Sequence, residues 1–113
     1  MKLHQVWDTS LIDFARGQTP LDTYAGKLNQ RITDKNQTDW EADMGPASWA
    51  KESHQLAKKY AYPPVIDQKW DDHKNDPVNL DIDYAKNAMP VVEAQLMKAG
   101  VRLAKILNEA LAQ

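Results

Sequence analysis

The feature that most constrains this chain is the spacing of its apolar residues, which recur every three or four positions. The first such set lies on one face of a helix and consists of Leu3, Trp7, Leu11 and Phe14. It predicts a helix from about Leu3 to Ala15, with Gly17 just past its end. No strand pattern competes anywhere in the sequence. We therefore expect an all-α fold, a helical bundle.

Two further helices are expected in the first half of the chain. Thr19 is predicted to cap the second helix, and Pro20 suits its first position. Its apolar stripe consists of Leu21, Tyr24, Ala25, Leu28 and Ile32. Pro46 is predicted to begin a third helix that runs to about Tyr60. The apolar side of that helix would carry Trp49, Ser53, Leu56 and Tyr60. Residues 34–45 are polar and are interpreted as a connection anchored by Trp40.

The last third of the sequence predicts a loop followed by a long helix. Residues 63–80 are loop-like, with Val65, Ile66 and Trp70 expected to pin them to the surface. The helix would be capped by Asp81 or Asp83 and kinked or divided at Pro90. From Val92 its stripe continues through Leu96, Leu103, Leu107 and Ala110. Gly100 costs about 1 kcal/mol relative to alanine in this position, which favours a close neighbouring helix there.

Length and composition indicate one globular domain and exclude several functional classes. The 113 residues are 42% hydrophobic and 27% charged, which predicts a single helical domain over residues 1–113. A net charge of −2 argues against a basic module that holds nucleic acid chiefly through phosphate contacts. The absence of cysteine excludes disulfides, thiolate zinc sites and thiol nucleophiles. No apolar run predicts a membrane helix, and no signal peptide is visible.

Three histidines limit the search for a catalytic or metal site. His4 and Asp8 are four residues apart, so a helix brings both to one face, where they can bind one divalent ion such as zinc. The alternative is a solvent-facing ion pair, which the same spacing also produces. His54 is interpreted as a surface or packing residue, and His73 as an exposed loop residue. Neither a G-x-S-x-G sequence nor a glycine-rich phosphate loop is present.

Three segments of the chain resemble one enzyme family. Residues 3–9, LHQVWDT, are similar to the L-H-x-V-W-D sequence of the zinc-dependent, single-strand-specific nucleases of the S1/P1 type. Residues 49–53, WAKES, resemble a W-A-x-E-S segment of the bacterial members. Residues 90–92, 99–104 and 107–108 are similar to the C-terminal helix of these enzymes. The segments occur in the family's order and span nearly the whole chain.

The resemblance implies a fold, a reaction and a metal site. Members are all-α, share the fold of bacterial zinc phospholipase C and hold three zinc ions. They hydrolyse phosphodiester bonds of single-stranded DNA and RNA to 5′-mononucleotides, and many remove a 3′-phosphate from nucleotides. The histidine and aspartate that match His4 and Asp8 bind one of the three ions. No catalytic residue beyond these metal ligands is assigned to this chain.

The resemblance also implies that this chain is the C-terminal portion of a longer domain. The family's other zinc ligands precede the matching motif, so this chain would ligate at most one ion in part. We expect the missing N-terminal half, or self-association, to cover apolar surface, and we expect no membrane contact. The parent protein would be periplasmic or secreted. The alternative is a catalytically inactive helical remnant that acts as a structural or interaction module.

Overall fold

The computed structural model describes residues 3–62 and 82–112, which form five helices and no strand. The expected all-α class is therefore confirmed. Helix α1 covers residues 3–16 and contains a π-helical turn, Val6–Ser10, between the α-helical pieces Leu3–Gln5 and Leu11–Arg16. Helices α2 and α3 are Leu21–Arg31 and Asp34–Ala42. Helix α4 covers residues 46–61, namely Pro46–Leu56 followed by a π-helical turn, Ala57–Ala61, and α5 is Ile82–Leu111.

Helix α5 is the scaffold on which the other four helices pack. Its 30 residues extend about 45 Å at the usual helical rise. The main apolar core joins the first part of α5 to α1 and consists of Val6, Leu11, Tyr84, Ala88 and Val92. This core forms because the apolar stripes of α1 and α5 face each other and remove their side chains from water.

A partly buried hydrogen bond fastens α2 to the middle of α5. The Tyr24 hydroxyl donates to Glu93 Oε2 at 2.8 Å, and Arg31 Nη1 lies 3.1 Å from Glu93 Oε1. Burial and the neighbouring Glu93 carboxylate raise the pKa of Tyr24 to about 12. The phenol therefore stays protonated and keeps donating to Glu93 across the ordinary pH range.

The polar stretch interpreted as a connection is a helix, so that expectation is wrong. Helix α3 begins with a capping box, in which Thr33 Oγ1 accepts from the Asn36 backbone N–H and Asn36 Oδ1 accepts from that of Thr33. Side-chain pairs four residues apart, such as Lys35 with Asp39 at 2.6 Å, add local support. Trp40 is half-buried. Local polar interactions thus form a helix that apolar spacing does not reveal.

Two expected helix details near the start of the chain are corrected. Helix α2 begins at Leu21 with Pro20 in the capping position, so Thr19 is not its cap. Phe14 is 48% exposed, because the π-helical turn shifts the residues after it and leaves Leu11 and Ile12 facing the core. Gly17 lies just past α1 with φ of 55°, a conformation that favours glycine, as predicted.

Helix α5 departs from expectation at both of its helix-weakening residues. It runs through Pro90 without interruption, so Pro90 does not divide it. A methyl group built on Gly100 would meet no atom within 4 Å, so none of the helices that the structure describes approaches closely there. Asp83 lies in the first turn rather than at the cap. The expected loop over residues 63–80 and the cap at Asp81 fall outside the described residues.

Candidate metal centre

His4 and Asp8 form a close pair on one exposed face of α1. His4 Nε2 lies 2.6 Å from Asp8 Oδ2, and the two side chains are 88% and 60% exposed. The spacing of four residues therefore does bring both groups together, as the sequence predicts. The pair is open to solvent and to a ligand.

The pair lies at a cleft of about 330 Å³ between α1, α4 and α5. Its lining is mostly apolar and consists of Leu3, His4, Trp7, Asp8, Ser53, Leu56, Ala57, Ala61, Tyr62, Val91 and Gln95. Tyr62 is half exposed at the end of α4. The cleft thus combines two potential metal ligands with apolar and aromatic walls, as sites for small organic groups commonly do.

Both π-helical turns of the described structure line this cleft. In α1 the Leu11 N–H bonds to the Val6 carbonyl, and after α4 the Tyr62 N–H bonds to the Ala57 carbonyl at 3.1 Å. Backbone hydrogen bonds between residues five apart are rare in proteins. Where a π-helical turn does occur, it often lies at a functional site. Apolar periodicity carries no signal for them, because a π turn is a local departure from that periodicity.

Tyr84 of α5 connects the three helices that form the cleft through hydrogen bonds to α1 and α4. Trp7 Nε1 donates to the Tyr84 hydroxyl oxygen at 2.8 Å, and that hydroxyl donates to the Ala61 carbonyl at 2.9 Å. The Trp7 and Tyr84 rings meet edge to face, with centroids 6.5 Å apart and planes at 82°. Burial raises the pKa of Tyr84, although the Trp7 N–H acts in the opposite direction. The backbone that carries His4 and Asp8 is therefore tied to α4 and α5.

The donor atoms of the pair fit one half of a zinc site. Imidazole nitrogen and carboxylate oxygen both bind zinc at about 2.0–2.2 Å, which in tetrahedral geometry separates two ligand atoms by about 3.4 Å. The 2.6 Å pair would need to open by about 1 Å, a movement that two exposed side chains can make. Within residues 3–62 and 82–112, no group of three His, Cys, Asp or Glu side chains forms a metal cage. Further ligands would have to come from elsewhere.

The two remaining histidines lie apart from the pair. His54 is exposed on α4 and does not line the cleft, although its neighbour Ser53 does. His73 falls outside the described residues. Among the histidines that the structure describes, His4 alone borders the cleft.

The second resemblance segment fastens α4 to α5. Trp49 Nε1 donates to the Asp43 carbonyl at 2.8 Å, and the Arg102 guanidinium lies 4.9 Å from the Trp49 ring centre. The Glu52 carboxylate pairs with Lys98 and lies 3.9 Å from Arg102. Trp49 is half-buried, so it serves packing, as the sequence predicts.

Gln95 is a cleft residue that the sequence did not single out. Its Oε1 atom is buried and has no hydrogen-bond partner in the described structure. Gln95 follows Val91 by four residues on α5, so helical spacing alone places it on the same wall. An unpartnered polar atom in an apolar wall costs free energy, which makes Gln95 a residue for experimental tests.

Comparison with known proteins gives the family. The sequence model described as S1/P1 Nuclease matches residues 1–112, nearly the whole chain. This chain belongs to the S1/P1 nuclease family. Two curated relatives from Arabidopsis thaliana, named Endonuclease 5 and Endonuclease 4, are each 31% identical over 122 aligned residues, with 94% of this chain covered.

The match to the S1/P1 relatives is partial on their side. The chain spans 36% of the length of Endonuclease 5 and of Endonuclease 4. No solved structure matches the chain significantly. Among the described helices, none has the length and apolar character needed to cross a bilayer.

Proposed function

We propose that this chain is part of a zinc-dependent nuclease and 3′-nucleotidase that hydrolyses phosphodiester bonds of single-stranded DNA and RNA to 5′-mononucleotides. The observation that carries the proposal is the His4–Asp8 pair at 2.6 Å, exposed at the edge of a cleft. Membership of the S1/P1 family supports it.

In this proposal His4 and Asp8 bind one zinc ion. His4 Nε2 and Asp8 Oδ2 would be two of its ligand atoms, because an unprotonated imidazole nitrogen and a carboxylate oxygen both bind zinc. Zinc, when bound, polarises the phosphodiester and stabilises negative charge on the leaving oxygen. Trp7 and Tyr62 line the same cleft, and a base of an unpaired strand would stack on an aromatic side chain there.

A chimera tests the assignment of the two ligands. Residues 1–112 would replace the matched section of Arabidopsis Endonuclease 5, so that the remainder of that protein supplies the other two thirds of the length. We expect EDTA-sensitive cleavage of a single-stranded oligonucleotide. His4→Ala and Asp8→Ala should each lower the rate at least 100-fold, because each removes one ligand of a zinc ion.

His54→Ala is the matched control, since His54 is exposed outside the cleft. It should leave the cleavage rate within about twofold of the chimera. Thermal unfolding of all variants checks that the losses are not caused by misfolding. Unchanged cleavage in His4→Ala and Asp8→Ala would refute the metal assignment.

A second candidate function is a catalytically inactive helical module. The observation in its favour is that His4 and Asp8 pair with each other at 2.6 Å, while the described residues bring no third His, Cys, Asp or Glu side chain to them. This candidate predicts that urea unfolding of the purified chain is the same in zinc and in EDTA. A chelator-induced loss of helix content would contradict it.

We also propose that the chain forms a partial single domain that works in a larger assembly. Large apolar side chains on the last part of α5 are exposed, namely Leu103, Ile106, Leu107 and Leu111. The cover would be the missing N-terminal half of the nuclease domain, or a second copy of the chain. The parent protein would be a bacterial-type enzyme, periplasmic or secreted.

A native mass spectrum of the purified protein tests this assembly. We expect either a second polypeptide with about three zinc ions per complex, or a dimer of this chain. A metal-free monomer at tens of micromolar concentration would contradict both forms of the proposal.

A further inference from the structure

A polar side chain in the wall of the cleft has a buried oxygen without a hydrogen-bond partner in the described structure. Gln95 lines the cleft from α5, together with the His4–Asp8 pair, and its Oε1 atom is the unpartnered oxygen. Neighbouring wall positions are apolar, among them Val91 one turn earlier on α5 and Leu56 of α4. A buried amide oxygen without a donor destabilises the fold, so a group that enters the cleft and donates to it would recover that loss.

The two ring N–H donors that line the cleft have other partners. Trp7 Nε1 donates to the Tyr84 hydroxyl oxygen at 2.8 Å. His4 Nε2 lies 2.6 Å from Asp8 Oδ2. Neither ring therefore supplies the donor that Gln95 lacks, and a ligand in the cleft can supply it. The last torsion of a glutamine side chain has a broad energy minimum, so the amide can turn toward such a ligand without leaving its rotamer.

The chemistry of a nucleotide decides which of its parts can donate to Gln95. Phosphate oxygens are acceptors, so they suit a metal ion and not an amide oxygen. Each base, in contrast, carries at least one N–H group on the edge that it uses for pairing. Trp7 and Tyr62 line the same cleft, and a base that stacks on an aromatic side chain turns its edge toward the surrounding walls. The base is therefore the part of a nucleotide that suits the Gln95 wall.

We propose that Gln95 binds the edge of the base of the nucleotide whose phosphate lies at the His4–Asp8 pair, with Gln95 Oε1 accepting from a base N–H. The proposal rests on the proposed nuclease function in one respect, that the ligand is a nucleotide. An amide carries an acceptor and a donor side by side, and so does the edge of every base. Gln95 thus favours a nucleotide with a base over an abasic one without selecting a single base.

The test is the binding of thymidine and of N3-methylthymidine to the isotope-labelled full chain in EDTA, followed by NMR at millimolar nucleoside. Neither compound has a phosphate, so the outcome depends neither on zinc nor on catalysis. N3-methylthymidine lacks the one N–H group of the base. The unmodified chain should bind thymidine about fivefold more tightly than the methylated compound, since only thymidine satisfies the buried oxygen. The side-chain amide signals of Gln95 should shift with thymidine and not with 2-deoxyribose, which carries the sugar hydroxyls alone.

Gln95→Met removes the amide and keeps the length of the side chain. Its preference for thymidine should fall to within about twofold, because methionine offers no comparable acceptor to the base N–H. The matched control is Gln55→Met, which makes the same change on α4 at an exposed residue that does not line the cleft. It should keep the full preference of the unmodified chain. Circular dichroism should be the same for both variants, because glutamine and methionine have similar helix propensities.

Several results would overturn the proposal. An unchanged preference in Gln95→Met would show that the base N–H has a different partner. An equal shift of the Gln95 amide signals by 2-deoxyribose would make a sugar hydroxyl the donor. No binding of thymidine up to its solubility limit would show that the cleft does not hold a base. Cleavage by the chimera combined with any of these results would refute the role of Gln95 alone. A thymidine preference that depends on Gln95, without cleavage by the chimera, would instead refute the proposed activity and leave the base contact standing.

Discussion

The two ends of α5 have the same kind of apolar sequence and opposite surroundings. In the first part, Tyr84, Ala88 and Val92 are buried against α1. In the last part, Leu103 and Leu107 of the predicted stripe are 57% and 47% exposed, and Leu111 next to that stripe is 79% exposed. We call these the packed end and the open end of α5.

The difference shows that an apolar stripe predicts a helix face on which another element should pack. It does not predict which element packs there. At the packed end the partner is α1, whose own apolar stripe packs against this part of α5. At the open end the described residues provide no such partner for Leu111. Four measurements test how differently the parts of the fold around α5 are held.

The largest expected effect is a cavity at the packed end. Leu11 is 3% exposed and packs against α5, so Leu11→Ala should lower the free energy of unfolding by about 2–5 kcal/mol. Leu111→Ala, at the open end, should change it by less than about 0.5 kcal/mol. Urea denaturation followed by circular dichroism measures both. Equal losses would mean that the two ends are equally buried.

Removal of the Tyr84 hydroxyl tests the polar part of the packed end. Tyr84→Phe leaves the Trp7 N–H and the Ala61 carbonyl without this partner, which should cost about 1–3 kcal/mol. Tyr62→Phe is the control, since Tyr62 is half exposed, and it should be nearly neutral. If both variants unfold at the same urea concentration as the unmodified chain, the hydroxyl does not join the three helices.

Alkaline titration tests the junction of α2 with the middle of α5. The pKa of Tyr24 is raised from 10.0 to about 12 in the fold, so the folded state holds the phenolic proton more tightly than the unfolded state. This contribution is complete below pH 10 and is lost as the pH rises from 10 to 12, by up to about 2 kcal/mol. The stability difference between the unmodified chain and Tyr24→Phe should shrink over that range. A difference that grows with pH would contradict the burial of Tyr24.

The smallest effect is expected at the wall of the cleft. Gln95→Met replaces a buried, unpartnered amide oxygen with an apolar group of similar length, so stability should rise by up to about 1 kcal/mol. Gln55→Met, on the exposed side of α4, should be neutral. A loss of stability in Gln95→Met alone would show that the amide has a partner that matters for folding.

Sequence spacing was sufficient for the class of fold and for the His4–Asp8 pair. Both depend on intervals of three and four residues, which a helix converts into a shared face whatever it packs against. The same rule failed for α3, because residues such as Thr33 and Asn36 form that helix through polar caps. A separate expectation, based on the cost of glycine inside a helix, was wrong at Gly100, because the close neighbour that it predicted is absent from the described structure.

The rest of the candidate site depends on tertiary packing that spacing does not contain. Gln95 and Ala57 line the same cleft as the His4–Asp8 pair because α1, α4 and α5 pack together, with Tyr84 hydrogen-bonded between them. The pairing of residues within one helix was therefore predictable from the sequence, whereas the contacts between different helices were not.

The π-helical turn Val6–Ser10 has a consequence for how this chain can change in evolution. A π turn contains one more residue than the α-helical turn it replaces, and one residue of helix corresponds to a rotation of about 100°. Deletion of Thr9 or Ser10 would keep His4 and Asp8 four residues apart. It would, however, rotate both residues about the helix axis relative to Leu11, and so turn them away from the cleft. The direction in which the pair faces therefore depends on the π turn, whereas its spacing does not. A relative can retain the H-x-x-x-D pattern while directing it at a different surface.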